Sequence, residues 1–316
     1  MKIKVLDRAS MGLDLSFACL EAIGDVEIYD NTSPEELITR VADAEALVLN
    51  KIKINDEVMA AAKQLRLVCV FATGYDNIDV AAARARGIAV CNVPAYSTDS
   101  VALFTVTNAL TLFTHLKEYT EYVSSGKYSA SGRANCLTPV YREMTGKVWG
   151  IVGFGNIGRA VARVAEALGA RVIVNKRTPV NDYECVDIDT LCKESDIITI
   201  HCPLNSETRG LIGAERIALM KPTVILVNEA RGAVTDEIAV ANAVKSGRIA
   251  AFGSDVYSEE PFPADHPFAE ISSLPNVCLT PHAAWGAYEA RERCLRVICS
   301  NINSFIEGKI QNRVDI

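Results

Sequence analysis

Apolar residues in this chain fall into short unbroken runs set between segments of helical spacing. In the first ninety or so residues the runs Ile3–Asp7, Val26–Tyr29, Ala46–Leu49, Leu67–Phe71 and Ile88–Cys91 read as strands. Between them, Pro34–Val41 reads as a helix behind the caps Thr32 and Ser33, and a second helix opens at Asn55 or Asp56 and runs to Ala62. A third, short helix is capped by Asp79 and stopped by Gly87. Strands that are apolar throughout and alternate with helices predict a parallel sheet covered on both faces. Asn92-Val93-Pro94 interrupts the alternation, and a long helix is expected from about Ser97 to Ser124. Its apolar residues, among them Val101, Leu103, Phe104, Leu110 and Phe113, lie on more than one face, which predicts burial inside the fold or by a partner chain. A second series starts at Val148, with strands at 171–175, 197–201, 224–228, 250–256 and 277–280. It includes a helix over Asp236–Ser246, and a final helix over about Tyr288–Glu307 follows it.

The second series opens on KVWGIVGFGNIG, Lys147 to Gly158. A buried strand (Val148, Trp149, Ile151, Val152) runs into Gly153, Gly155 and Gly158, a G-x-G-x-x-G. A helix follows, with Ala160, Val161, Val164, Ala165 and Leu168 expected on one face. Strand, glycine turn and helix together select dinucleotide binding over a plain glycine turn. The first glycine allows the turn, the second admits a pyrophosphate, and the third lets helix and strand pack closely. The helix N-terminus offers its N–H groups to the phosphates. Because this motif sits mid-chain, a cofactor domain is bracketed by an earlier domain and a C-terminal helix.

With 316 residues, 49% of them apolar, the chain is long enough for two domains with sizeable cores. A net charge of −7 without a basic block argues against nucleic acid or an anionic membrane as partner. No apolar run has the length of a membrane span. MKIKVLDRAS leads directly into a strand and lacks the apolar core of a signal peptide, so a cytoplasmic protein is expected. The ten cysteines are scattered, with no C-x-x-C, and read as reduced thiols rather than disulfides. No His/Cys/carboxylate cluster has ligand spacing, so no metal is expected.

Six segments, in order, resemble the D-isomer-specific 2-hydroxyacid dehydrogenase family: FATGYDNID (71–79), VGFGNIG (152–158), ESDIITIHCPLNSET (194–208), VNEARGAVTDE (227–237), GSDVYSEEP (253–261) and LTPHAA (279–284). VAAARARGIAVCNVPAYSTDSVA (80–102) is most similar to the glycerate dehydrogenase, or hydroxypyruvate/glyoxylate reductase, branch. The resemblance implies an α/β fold of two doubly wound parallel-sheet domains. One is a flavodoxin-like substrate domain, 1–98 and 285–316, and the other an inserted Rossmann domain, 99–284. It further implies an active site in the cleft between them, a homodimer, and reversible reduction of a small 2-ketoacid by a nicotinamide cofactor. Alternatives are the same reaction on a bulkier 2-ketoacid, or a nucleotide-sensing binding protein of this fold.

Arg231, after a strand, can hold a carboxylate and a ketone oxygen together; the alternative is a surface ion pair. His282 can pass a proton to a developing alkoxide, while His115 and His266 read as structural. A carboxylate at Glu260 would orient the ring and favour its protonated form. Glu259 is the rival, and the family pattern of glutamate before proline selects Glu260. Thr73 and Gly74 are expected to offer N–H groups to the substrate carboxylate, and Lys51 is either a supporting charge or a surface lysine. By family position, Asn156, Ile157, Cys202, Pro203, Thr208, Ala230, Asp255 and Ala284 join the three glycines along the cofactor, with His201 near it. The strand Arg171–Asn175 leads to Lys176, Arg177 and Thr178 rather than to an acid, which favours NADP, with NAD as the alternative. Glu229 departs from the family, which usually has a small or hydroxyl residue there.

Overall fold

The computed structural model describes residues 1–316, which divide into two compact units, Met1–Ser97 with Trp285–Ile316, and Thr98–Ala284. The first unit contains β1 (Lys2–Val5), α1 (Ala18–Glu21), β2 (Asp25–Ile28), α2 (Pro34–Val41), β3 (Ala46–Leu49), α3 (Asp56–Ala61), β4 (Leu67–Val70), α4 (Val80–Ala85) and β5 (Ala89–Cys91). Its strands form one parallel sheet in the order β2-β1-β3-β4-β5, a flavodoxin-like order.

The second unit contains α5 (Thr98–Phe113), α6 (Leu116–Ser124), α7 (Lys127–Ser131), β6 (Val148–Val152), α8 (Asn156–Ala167), β7 (Arg171–Asn175), β8 (Glu184–Cys185), α9 (Ile188–Glu194) and β9 (Ile197–Ile200). It continues with α10 (Ala214–Leu219), β10 (Ile225–Asn228), α11 (Glu237–Lys245), β11 (Ala251–Ser254) and β12 (Val277–Leu279). These strands form a seven-stranded parallel sheet, β12-β11-β10-β9-β6-β7-β8. The last helix, α12 (Tyr288–Ile306), returns to the first unit.

The unbroken apolar runs follow from sheets covered on both faces. Along β3, Ala46 and Val48 join one core, and Leu47 and Leu49 the other. Along β10, Ile225 and Val227 meet the core that includes α5 and α8, while Leu226 meets the core that includes α11. Successive side chains point to opposite faces, so burial on both leaves no place for a polar alternation. Local capping signals act as expected: the Asn55 and Asp79 side chains accept from the N–H groups of Val58 and Ala82. Glu36 accepts from Ser33 N–H.

Two expectations are corrected. The long helix is two helices, because His115 adopts a left-handed conformation (φ 53°) between α5 and α6. Thr114 bonds back to Leu110 O and His115 Nδ1 meets Glu118 at 2.9 Å, so the break is held locally. The two halves differ in burial: α5 buries Val101, Ala102, Val106, Ala109 and Leu112, whereas no residue of α6 is buried. On α8 the buried face is Ala160, Val161, Ala162 and Ala165, not Val164 (41% exposed) or Leu168 (39%). Val164 lies at the edge of that stripe, and Leu168 caps the last turn where the chain leaves through Gly169 (φ 87°).

Candidate functional site

The glycine loop lies at the topological switch point of the second unit, where β6 has β7 on one side and β9 on the other. Open α/β sheets leave a crevice there, beyond the strands' carboxyl ends. Gly153 has φ 89°, and a Cβ on it would come within 2.4 Å of Cys202 N, so two strand ends meet with no space for a side chain. A Cβ on Gly158 would lie 2.5 Å from Gly153 O, which keeps α8 against the turn. A Cβ on Gly155 would meet nothing within 4 Å, so the middle glycine faces open space. Gly155 is also the N-cap of α8 and provides no side-chain cap, which leaves the first N–H groups at Asn156 and Ile157 for an anion.

A cleft of about 500 Å³ opens beside this turn. It is lined by Gly153 and Gly155, by Lys176, Arg177 and Thr178 after β7, and by His201, Cys202, Pro203 and Thr208 after β9. Burial pushes the Cys202 thiol up to about 11, so it is a neutral apolar wall. Thr208 is fixed by donating to Pro203 O at 2.6 Å and accepting from Asn205 N at 2.8 Å. Asn205 and Glu207 also line the cleft, and the sequence reasoning did not single them out. Their only signal was the turn-forming N-S-E-T, in which Asn205 Oδ1 accepts from Glu207 N and Thr208 N. His201 is half-buried with both ring nitrogens buried and unpartnered, and that burial lowers it to about 3. A glycine cradle, uncapped helix N–H groups, paired cations and an orphaned ring beside one cleft fit a nicotinamide dinucleotide.

Arg231, Glu260 and His282 follow β10, β11 and β12, three neighbouring parallel strands, and so stand at one edge of the sheet. Asn228 shapes the turn to Arg231: its Oδ1 accepts from Ala230 N at 3.1 Å and its Nδ2 donates to Arg231 O at 3.0 Å. The guanidinium donates to Ala230 O at 2.8 Å. Gly232 brings this turn against the next loop, since a Cβ there would sit 2.0 Å from the Tyr257 carbonyl carbon. Gly232→Ala is therefore expected to destabilise the protein by roughly 1–3 kcal/mol, as other insertions into packed sites do, with a lowered Tm as the check.

His282 Nδ1 and Glu260 Oε2 are 2.6 Å apart, and Glu260 Oε1 accepts from Tyr257 N at 3.1 Å. Both side chains remain partly exposed, 27% and 29%, so the pair is open on one side. Glu259 is exposed. The loop bearing Glu260 is anchored by Glu237, which accepts from Ser258 N and Ser258 Oγ and meets His266 Nε2 at 3.0 Å. His266 is thus structural, buried among Tyr257, Phe262 and Phe268. Asp255 shapes the turn that carries His282. It accepts from Thr280 Oγ1 at 2.6 Å and from Ala283 N and Ala284 N at 2.8 Å each.

In the first unit, Thr73 and Gly74 follow β4, with the Thr73 hydroxyl donating to Val93 O at 2.8 Å. Lys51 is exposed, and its N–H donates to the buried Asp7 carboxylate at 2.6 Å.

The sequence profile described as "D-isomer specific 2-hydroxyacid dehydrogenase, NAD binding domain" matches residues 106–284. A hydroxypyruvate reductase of Blautia hydrogenotrophica is 36% identical, over 100% of both chains. A glyoxylate reductase of Korarchaeum cryptofilum is 39% identical, over 90% of this chain and 88% of its own. Among solved structures, the D-lactate dehydrogenase of Aquifex aeolicus complexed with NAD and lactic acid superposes with a TM-score of 0.87 at 27% identity. That match covers 100% of this chain and 99% of the other.

Proposed function

Because this chain belongs to the D-isomer-specific 2-hydroxyacid dehydrogenase family, we propose that it reversibly reduces a small 2-ketoacid of the hydroxypyruvate or glyoxylate class to the D-2-hydroxyacid. The observation that carries this reading is the 2.6 Å His282–Glu260 pair, set one strand apart at the edge that also bears Arg231. The nicotinamide, when bound, supplies or accepts the hydride. Arg231 binds the substrate carboxylate and polarises the ketone, because a planar guanidinium can serve both oxygens. His282 uses Nδ1 on Glu260, which leaves Nε2 to donate a proton to the developing alkoxide and to take it back in oxidation. Glu260 holds the ring in place through that contact. Thr73 and Gly74 bind the carboxylate through backbone N–H groups, with Lys51 as a supporting charge. Asp255, Ala230 and Ala284 serve the cofactor alongside the residues of the cleft, and NADP is preferred to NAD.

The test is steady-state turnover over a panel of 2-ketoacids of increasing size, run with NADH and NADPH. Highest kcat/KM for hydroxypyruvate or glyoxylate is the expected result. Preference for a bulkier acid would move the substrate class, and no turnover at all would leave a nucleotide-binding protein.

The assembly is proposed to be a homodimer that covers part of the second unit. Exposed Leu103 (69%) on α5, Leu116 (52%) and Val123 (57%) on α6, and Leu137 (74%) and Val140 (68%) after α7 support this. Light scattering at micromolar concentration should give twice the chain mass, and a monomeric mass would reject the dimer.

A further inference from the structure

We infer that Glu229 is held by Asn108 as a neutral carboxylic acid, leaving Asp255 the charged member of the two buried carboxyls that follow β10 and β11. The inference rests on the reading of this edge as the hydride-transfer site. Glu229 is the first residue after β10 and is 7% exposed; Asn108, on α5, is 3% exposed. Asn108 Nδ2 donates to Glu229 Oε1 at 3.1 Å. The other atom of each group, Asn108 Oδ1 and Glu229 Oε2, is buried with no partner. Two acceptors of one side-chain pair thus both lack a donor, a costly arrangement. One proton on Oε2 removes both defects: Oε2–H donates to Asn108 Oδ1 and closes a ring of two hydrogen bonds. An ionised carboxylate satisfies neither atom. Gly253 of β11 leaves room for the amide, since a Cβ there would lie 2.5 Å from Asn108 Oδ1.

The neighbouring charges agree. Burial, and then the charge of Asp255 from the loop after β11, push Glu229 up to about 8. Tyr257, from the same loop, and Cys278, on β12, are both raised by burial and, to a lesser extent, by Glu229. Lys117 of α6 acts on Cys278, and His282 acts on Asp255. Burial raises Asp255 too, but its three hydrogen-bond donors oppose that, whereas Glu229 has only the Asn108 amide. Of the two carboxyls, Asp255 is therefore the one built to carry charge. Ionisation of Glu229 would break its ring with Asn108 and put a second negative charge two residues from Arg231.

The test uses the full-length enzyme and E229Q, whose amide reproduces the acid: it donates to Asn108 Oδ1 and accepts from Nδ2. Infrared difference spectra of wild type minus E229Q at pH 7 should show the carbonyl stretch of a protonated carboxylic acid. In the wild type, that band should fade as pH rises through about 8. A carboxyl whose folded pKa lies above its unfolded value takes up a proton on folding. Its stability contribution is therefore present at low pH and is lost between the unfolded value of 4.5 and about 8. From pH 6 to pH 9 the Tm of the wild type should thus fall roughly 5 °C further than that of E229Q. Its kcat should also decline more steeply than that of E229Q above pH 8. Absence of the acid band at pH 7, or parallel Tm profiles, would overturn the inference. The infrared titration of the wild type needs no variant to fold. An intact band in a protein that turns over no ketoacid would reject the reaction and not the acid–amide pair.

Discussion

His282→Ala is expected to lower kcat for ketoacid reduction by ~10²–10⁴-fold, the usual contribution of a general acid. The structure shows why a neighbouring group would not replace it. The imidazole is fixed through Nδ1 by Glu260 at 2.6 Å, and the turn beneath it is fixed by three hydrogen bonds to Asp255. Glu260→Gln isolates the electrostatic part of that arrangement, because the amide retains a polar contact with the ring and loses the charge. The anion offsets the positive charge that the ring carries while it holds the proton. Removing it should therefore lower the reductive kcat/KM although the ring is still held. An unchanged kcat/KM in Glu260→Gln would remove Glu260 from the mechanism. Arg231→Ala should raise KM and lower kcat together, since one guanidinium serves both the carboxylate and the ketone. A rise in KM alone would confine it to binding.

How far the sequence foretold these elements depends on the physical origin of each signal. Most strands of both sheets were legible because they are buried on both faces, which leaves runs such as Leu67–Val70 and Ile225–Val227 without a polar position, whereas the two-residue edge strand β8 has no such run. The helix starts at Asp56 and Val80 were legible because their caps are side chains that satisfy specific N–H groups. The break at His115 was not legible. Left-handed conformations are uncommon outside glycine, and nothing in the local pattern separates this histidine from a helical one. Val164 and Leu168 were misplaced because a helical wheel fixes the direction of a side chain but not where the neighbouring sheet ends. Arg231, Glu260 and His282 were found by motif, but the geometric reason they share an edge is strand order. Sequence spacing alone does not reveal that β10, β11 and β12 are neighbours. Asn205 and Glu207 entered the cleft for the same reason, carried there by the turn after β9.

NADPH should be preferred to NADH for the best ketoacid, by kcat/KM. The deciding residues follow β7, the second strand of the dinucleotide unit, where an NAD-specific site normally places Asp or Glu against the ribose hydroxyls. Such a carboxylate would repel a 2′-phosphate. Here β7 ends at Asn175, whose side-chain amide donates to Val186 O at 3.0 Å and so serves the fold. Lys176, Arg177 and Thr178 follow, and all three line the cleft that also holds Gly153 and Gly155. Two cations and a hydroxyl suit a phosphate by charge and by hydrogen bonding. Asp182 lies close enough to Lys176 to feel its charge, but it pairs with Arg159 at 2.5 Å. Replacing Lys176 with Asp and Arg177 with Ala should therefore weaken NADPH use far more than NADH use. Fluorescence titration of each reduced cofactor, without substrate, separates this binding effect from any change in chemistry. An NADH kcat/KM equal to or above that for NADPH in the unmodified enzyme would show that Lys176 and Arg177 are an ordinary exposed loop.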